Sequence, residues 1–292
     1  MTLQPTVQGR MTPAPRTPPT PALLLDTLRE AAAAGAFVIR DGERRRDAIA
    51  WREKAATDFV SEIDESAEAA ILAVLLGRVP GAAILAEESA STLAADRRAH
   101  GVTFVIDPLD GTTNFLHGVL EYAVSIAALV DNELVAGVVL HVPRDDWYTA
   151  TRGGGAWWNE QRLQVSTIAE PMRALIATGF PFMVGDDLDR YVAQMRQLMT
   201  HTAGLRRPGA ASLDLAGVAC GRFEGFWENR LAPWDIAAGM LLVREAGGRV
   251  CDFRGRSDKL LDGGQIVAGN IKIVDALQKA IVQTGYANAF NV

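Results

Sequence analysis

The chain has 292 residues, 49% of them hydrophobic and 22% charged, with a formal net charge of −6. That balance belongs to an ordinary globular protein with enough apolar surface for a large core. An acidic chain lacks the basic surface that displaces counterions from nucleic acid, so general nucleic-acid binding is not expected.

No apolar run reaches the roughly 18 residues needed to cross a bilayer, and no charged-then-apolar signal pattern opens the chain; a cytoplasmic protein is expected. Only Cys220 and Cys251 are present. Their spacing fits neither a zinc nor a redox motif, which predicts two reduced thiols.

Taken in chain order, residues 1–21 carry six prolines among Thr, Gln and Ala, a composition that predicts a disordered tail. The remainder, 22–292, reads as one body with possible subdomains at about 22–170 and 171–292. Apolar residues recur at helical spacing over 23–38, and the charged run 43–47 reads as a solvated turn. A second helix is predicted over 65–77 from the stripe Ala67, Ala70, Ile71, Val74 and Leu75, with Asp64 at its N-cap.

Residues 82–86 and 102–106 read as buried strands running into Glu87 and Asp107. Residues 122–130 and 134–142 flank Asp131-Asn132 as a hairpin, so the sheet is at least partly antiparallel. Further strands are predicted at 174–177, 223–227, 249–251 and 265–268, and helices at 187–200, 211–220, 235–246 and 271–283. This interleaving without a strict βαβ repeat predicts stacked α and β layers rather than a doubly wound sheet. Gly153-Gly-Gly155 reads as a tight turn, and Trp147, Trp157 and Trp158 as sheet or dimer packing.

The strongest local signal is Asp107-Pro-Leu-Asp-Gly-Thr-Thr-Asn-Phe115. Two carboxylates leave a strand end together. With the carbonyl of Leu109 they offer oxygen ligands of the kind that Mg²⁺ prefers. Gly111 permits a close turn, after which the amides of Gly111 and Thr112 can meet a phosphate. Taken alone, Asp-x-x-Asp is also ordinary turn chemistry. The covalent aspartyl-phosphate motif has one residue between its carboxylates where this chain has two, which favours metal-assisted attack by water. Glu87-Glu88-Ser89 and Asp235, which opens a long apolar helix, add acidic partners; Asp235 by itself also reads as a helix-entry residue.

Four blocks together resemble the inositol monophosphatase family. They are Asp58-Phe-Val-Ser-Glu-Ile-Asp64, Glu87-Glu-Ser, the Asp107–Phe115 segment, and Pro233-Trp-Asp-Ile-Ala-Ala-Gly239 followed by Glu245-Ala-Gly-Gly248. They stand in family order and span most of the chain after the tail. One departure is Ala86, where the family usually has Gly.

The resemblance implies an α/β (α+β) fold, a layered αβαβα sandwich of the inositol monophosphatase and fructose-1,6-bisphosphatase type with mixed, partly antiparallel sheets. It implies a homodimer and Mg²⁺, two or three ions. Glu87, Asp107 and the Leu109 carbonyl would hold one; Asp107, Asp110 and Asp235 another; Asp64 would lie near an outer third. Glu87, Thr112 and Asp110 would carry the catalytic work: Thr112 and Glu87 would orient and deprotonate the attacking water, with Thr112 passing its hydroxyl hydrogen bond toward the carboxylate. Gly111, Thr112, Gly209, Ala211, Glu228 and Asp235 would contact a small phosphorylated polyol.

The implied activity is Mg²⁺-dependent, Li⁺-sensitive hydrolysis of inositol 1-phosphate. Histidinol phosphate, fructose 1,6-bisphosphate and 3′-phosphonucleotides stand as alternative substrates. A non-catalytic regulator that binds a protein or RNA is the alternative from another class.

Overall fold

A computed structural model describes residues 19–46, 49, 51–55, 58–89, 101–180 and 186–284, with 51–55, 58–60 and 186–187 described by their backbone alone. Most of the Pro-rich stretch lies outside these residues. Its last member, Pro21, is helical: α1 spans Pro21–Glu43, with Thr20 as N-cap. Proline suits the first helical position because the N–H it lacks would have had no intrahelical partner. The helix therefore begins one residue inside the expected tail, and it runs into the charged stretch first read as a turn.

β1 (Trp51–Ala55) and β2 (Asp58–Ser61) form an antiparallel pair that the sequence did not signal. α2 (Glu62–Arg78) follows, capped by Ser61. Asp64, expected at the N-cap, is instead the third helical residue and closes a capping box with Ser61.

β3 (Ala83–Ala86), β4 (Val102–Asp110), the short α3 (Thr112–His117), β5 (Ala123–Val130), β6 (Glu133–His141), β7 (Asp146–Thr151), β8 (Gly155–Trp158) and β9 (Gln161–Arg162) come next. The seven strands form one sheet in sequence order. β3 and β4 are parallel and every later pair is antiparallel. Asp131 and Asn132 both take positive φ between β5 and β6, as a two-residue hairpin twisted to match its strands requires.

The second half contributes β10 (Leu175–Thr178), α4 (Asp186–Met199), β11 (Gly204–Arg206), α5 (Ala211–Ala219), β12 (Gly225–Asn229), α6 (Pro233–Glu245), β13 (Arg249–Cys251), α7 (Leu260–Gly263), β14 (Gln265–Gly269) and α8 (Ile271–Gln283). Its sheet has the order β11-β10-β12-β14-β13 and mixes parallel with antiparallel pairs.

Three apolar clusters hold five layers together, the middle one spanning both faces of the central helix layer. Apolar residues of α1 and α2 pack on one face of the seven-stranded sheet. Residues of α5 and α6 fill the space between the two sheets. Residues of α4 and α8 cover the outer face of the five-stranded sheet. This is the αβαβα layering expected. It also explains why β5 and β6 read as near-continuous apolar runs, since helices cover both faces of their sheet. The central helices approach closely at Gly239, where a Cβ would stand 2.5 Å from the Cβ of Leu215.

Candidate active site

β3 and β4 run parallel, with Ala86 opposite Ile106, and Glu87 N–H donates to the Ile106 carbonyl at 3.1 Å. Glu87 and Asp107 therefore leave the sheet side by side at its carboxyl edge, where α/β sheets place their ligand crevices. The Glu87-Glu88 turn is held from α2, whose Glu68 Oε2 accepts from Glu88 N–H at 2.9 Å.

Residues three apart on a regular strand face opposite ways. Here the β4–β5 register slips, so that Asp107 pairs with Ser125 and Asp110 with Ala123. The extra residue, in the Pro108-Leu109 stretch, turns both carboxylates to one face. Gly111 then takes φ +90°, and a Cβ there would lie 2.9 Å from the Glu121 carbonyl, so the turn into α3 needs glycine.

Thr112 Oγ1 lies 2.7 Å from Asp64 Oδ1 and 3.0 Å from the Leu109 carbonyl. The carboxylate that Thr112 reaches is thus Asp64, buried in α2. The other oxygen of Asp64 accepts from Ser61 N–H and Oγ at 2.9 and 2.6 Å. Both oxygens of Asp64 therefore accept hydrogen bonds.

Asp110 Oδ2 accepts from Ser212 N–H at 2.8 Å and from Ser212 Oγ at 2.5 Å. Asp235 sits in the first turn of α6, its Oδ2 accepting from Ala232 N–H at 2.6 Å. Asn114 donates to the carbonyls of Glu121 and Pro208, tying α3 to the segment that carries Gly209 and Ala211. Glu228, on β12, packs directly over Gly179, where a Cβ would come within 2.2 Å of its carboxylate atoms.

Burial, then the charges of Glu87, Asp110 and Asp235, push the proton affinity of Asp107 well above the carboxylate range. Burial raises Asp110 to about 6 against the opposing hydrogen bonds from Ser212. Asp214 and Glu228 are also raised, first by burial and then by neighbouring carboxylates, with Arg207 opposing. Asp214 Oδ1 is buried and has no hydrogen-bond partner among the described residues.

The structure thus gathers Glu87, Asp107, Asp110 and Asp235 within electrostatic reach of one another, joins Thr112 to Asp64 and Leu109, and brings the Gly209–Ser212 segment against them. Asn114, Gly179, Ser212 and Asp214 were missed by the sequence reading. Of these, Asn114 lies inside the Asp107–Phe115 motif, and Ser212 closes the Arg206–Ser212 stretch that resembles the family's substrate segment.

Concentrated buried negative charge fits a hard divalent cation, which supplies the missing counter-charge and prefers carboxylate and carbonyl oxygen. As the side chains stand, no three acidic, histidine or cysteine residues among those described enclose a ready-made ion cage. The donor chemistry fits Mg²⁺.

Residues 22–286 match the model of the inositol monophosphatase family. The chain belongs to this family. It is 49% identical over 256 residues to a Pseudomonas aeruginosa protein named Nus factor SuhB, covering 87% of this chain and 93% of the relative. It is 42% identical over 261 residues to an inositol-1-monophosphatase of Mesorhizobium japonicum, covering 89% and 96%.

The family's fold is shared with an extragenic suppressor protein suhB from Bartonella henselae at TM-score 0.82 and 37% identity, over 88% of this chain and 98% of that one. An inositol monophosphatase from Anabaena aligns at TM-score 0.76 and 34% identity, over 90% and 96%. The family supports a phosphatase, generally metal-dependent. No helix among the described residues is long and apolar enough to cross a membrane.

Proposed function

We propose that this protein hydrolyses a small phosphate monoester in the presence of Mg²⁺, with inositol 1-phosphate as substrate. The observation that carries the reading is the cluster of Glu87, Asp107 and Asp110 at the strand ends with Asp235 at the start of α6, where burial, then the charges of the other three, disfavour ionised Asp107. A purely structural cluster of this kind would cost stability without return.

Glu87, Asp107, the Leu109 carbonyl, Asp110 and Asp235 would hold two ions, with a third more weakly bound nearby. Bound Mg²⁺ supplies Lewis acidity toward the phosphoryl oxygens and makes water more acidic. Thr112 donates its hydroxyl proton to Asp64, leaving its lone pairs to accept from, and so orient, the attacking water. Glu87 receives that water's proton in this reading. The amides of Gly111 and Thr112 receive phosphate. Gly209, Ala211 and Glu228 face the alcohol, with Glu228 accepting from ring hydroxyls.

The test is phosphate release from inositol 1-phosphate, histidinol phosphate, fructose 1,6-bisphosphate and a 3′-phosphonucleotide, with Mg²⁺ and with EDTA. Preference for histidinol phosphate would overturn the substrate assignment, and no Mg²⁺-dependent release from any of them would overturn the activity. The reading also carries Li⁺ inhibition, a homodimer measurable by light scattering, and a cytoplasmic location.

A second reading, a regulator that binds protein or RNA, is favoured by the 49% identity to a relative named as a Nus factor. The two readings are compatible, because a surface interaction leaves the buried carboxylates available. Loss of the regulatory phenotype on deletion, restored by an Asp110→Asn variant without turnover, would separate them.

A further inference from the structure

Ser212 lies in the first turn of α5 and is fully buried. A serine so placed in a helix ordinarily turns its hydroxyl to solvent or to its own backbone. This one reaches across 102 positions of sequence to Asp110, and its hydroxyl and amide both donate to the same oxygen. The N-cap residue of α5, Ala210, has no side chain that can cap. Asp110 therefore serves as the cap of a helix from the other half of the chain, and that helix grips Asp110 in return.

The amide bond alone would survive replacement of the side chain. The hydroxyl adds a second donor along a different direction, and two donors on one oxygen hold the carboxylate against rotation. We propose that Ser212 is a positioning residue that fixes the orientation of Asp110 and so sets the affinity of the site for Mg²⁺. The inference rests on reading Asp110 as a metal-facing carboxylate. It adds a donor outside the acidic motifs, carried by the layer between the two sheets.

The experiment compares wild type with Ser212→Ala and Ser212→Cys, using Mg²⁺ titration calorimetry and the Mg²⁺-induced rise in melting temperature, both without substrate, alongside the Mg²⁺ dependence of turnover. Alanine removes the hydroxyl from a helical position that favours alanine; cysteine keeps the bulk but donates weakly. Both variants are expected to bind Mg²⁺ about tenfold more weakly, with turnover at saturating Mg²⁺ within about threefold of wild type, as loss of metal binding alone would give.

Unchanged Mg²⁺ affinity in Ser212→Ala overturns the inference. So does a Ser212→Cys protein that behaves as wild type while Ser212→Ala is weakened, since that pattern belongs to packing. Should the alanine variant fail to fold, the cysteine variant decides by the same criterion. A wild-type protein that neither binds Mg²⁺ nor hydrolyses any phosphomonoester would sink the proposed function instead.

Discussion

Asp110 makes a measurable link between pH, metal and stability. Its folded-state pKa of about 6 lies above the ordinary 3.8, so between these values the folded protein binds a proton that the unfolded chain has released. Stability must therefore fall as pH rises through this window. The difference of about two units corresponds to on the order of 3 kcal/mol. Asp107 is raised as well and shifts the same way.

Asp110→Asn removes this ionisation and keeps the shape. Urea unfolding followed by tryptophan fluorescence, in EDTA, should show wild type losing on the order of 3 kcal/mol relative to the variant between pH 4 and pH 7. Taking the difference between the two proteins cancels the surface ion pairs, which titrate in both. Saturating Mg²⁺ at pH 7 should restore most of the loss in wild type by binding the folded state alone. A wild-type-minus-variant difference that stays flat with pH in EDTA would refute the reasoning, because the buried carboxylates would then carry no electrostatic cost.

Gly179→Ala puts a Cβ 1.9 Å from Glu228 Oε1, and the carboxylate, as the end of a flexible side chain, must move. KM for inositol 1-phosphate should rise about tenfold, with p-nitrophenyl phosphate unaffected; equal losses on both would remove Glu228 from substrate recognition. Thr112→Val keeps shape and loses the hydroxyl, so kcat should drop by roughly 10² to 10³ with KM nearly constant; a kcat within a few-fold of wild type would show that the Asp64–Thr112 bond is structural. Gly239→Ala drives a methyl into Leu215 at the α5–α6 crossing and should cost about 1–3 kcal/mol in urea unfolding, whereas unchanged stability would mean that the helices separate freely.

The sequence by itself determined the elements whose signal is local. The helix over 271–283 and the strand over 249–251 were read to the residue, because a strong apolar period and nearby turn residues mark their ends. The hairpin at Asp131-Asn132 was legible for the same reason, as only a few residue types tolerate two positive φ values in succession. The acidic motifs were legible because four blocks in order narrow the family, and the family carries the fold.

What lacked a local signal was missed. β7, β8 and β9 are short and irregularly patterned, and β11 is three residues long. The charged end of α1 looked like solvent-facing turn, yet Tyr122, just ahead of β5 in the adjacent sheet layer, bonds to Glu43 there.

Only the tertiary structure decided how the site is wired. A one-residue slip in the β4–β5 register turns Asp107 and Asp110 to the same face, and register is a property of a strand pair, invisible in either strand alone. Thr112 was expected to pass its hydroxyl hydrogen bond toward the carboxylate, and packing of α2 against β4 brings Asp64 to that hydroxyl. Ser212 enters because α5 is laid against the end of β4, and Gly179 because β10 pairs with β12 beside Glu228. Their chemistry depends on contacts across about a hundred and about fifty positions of sequence, and long-range contact of that kind is fixed by strand pairing and the packing of layers, which no local pattern of residue types encodes.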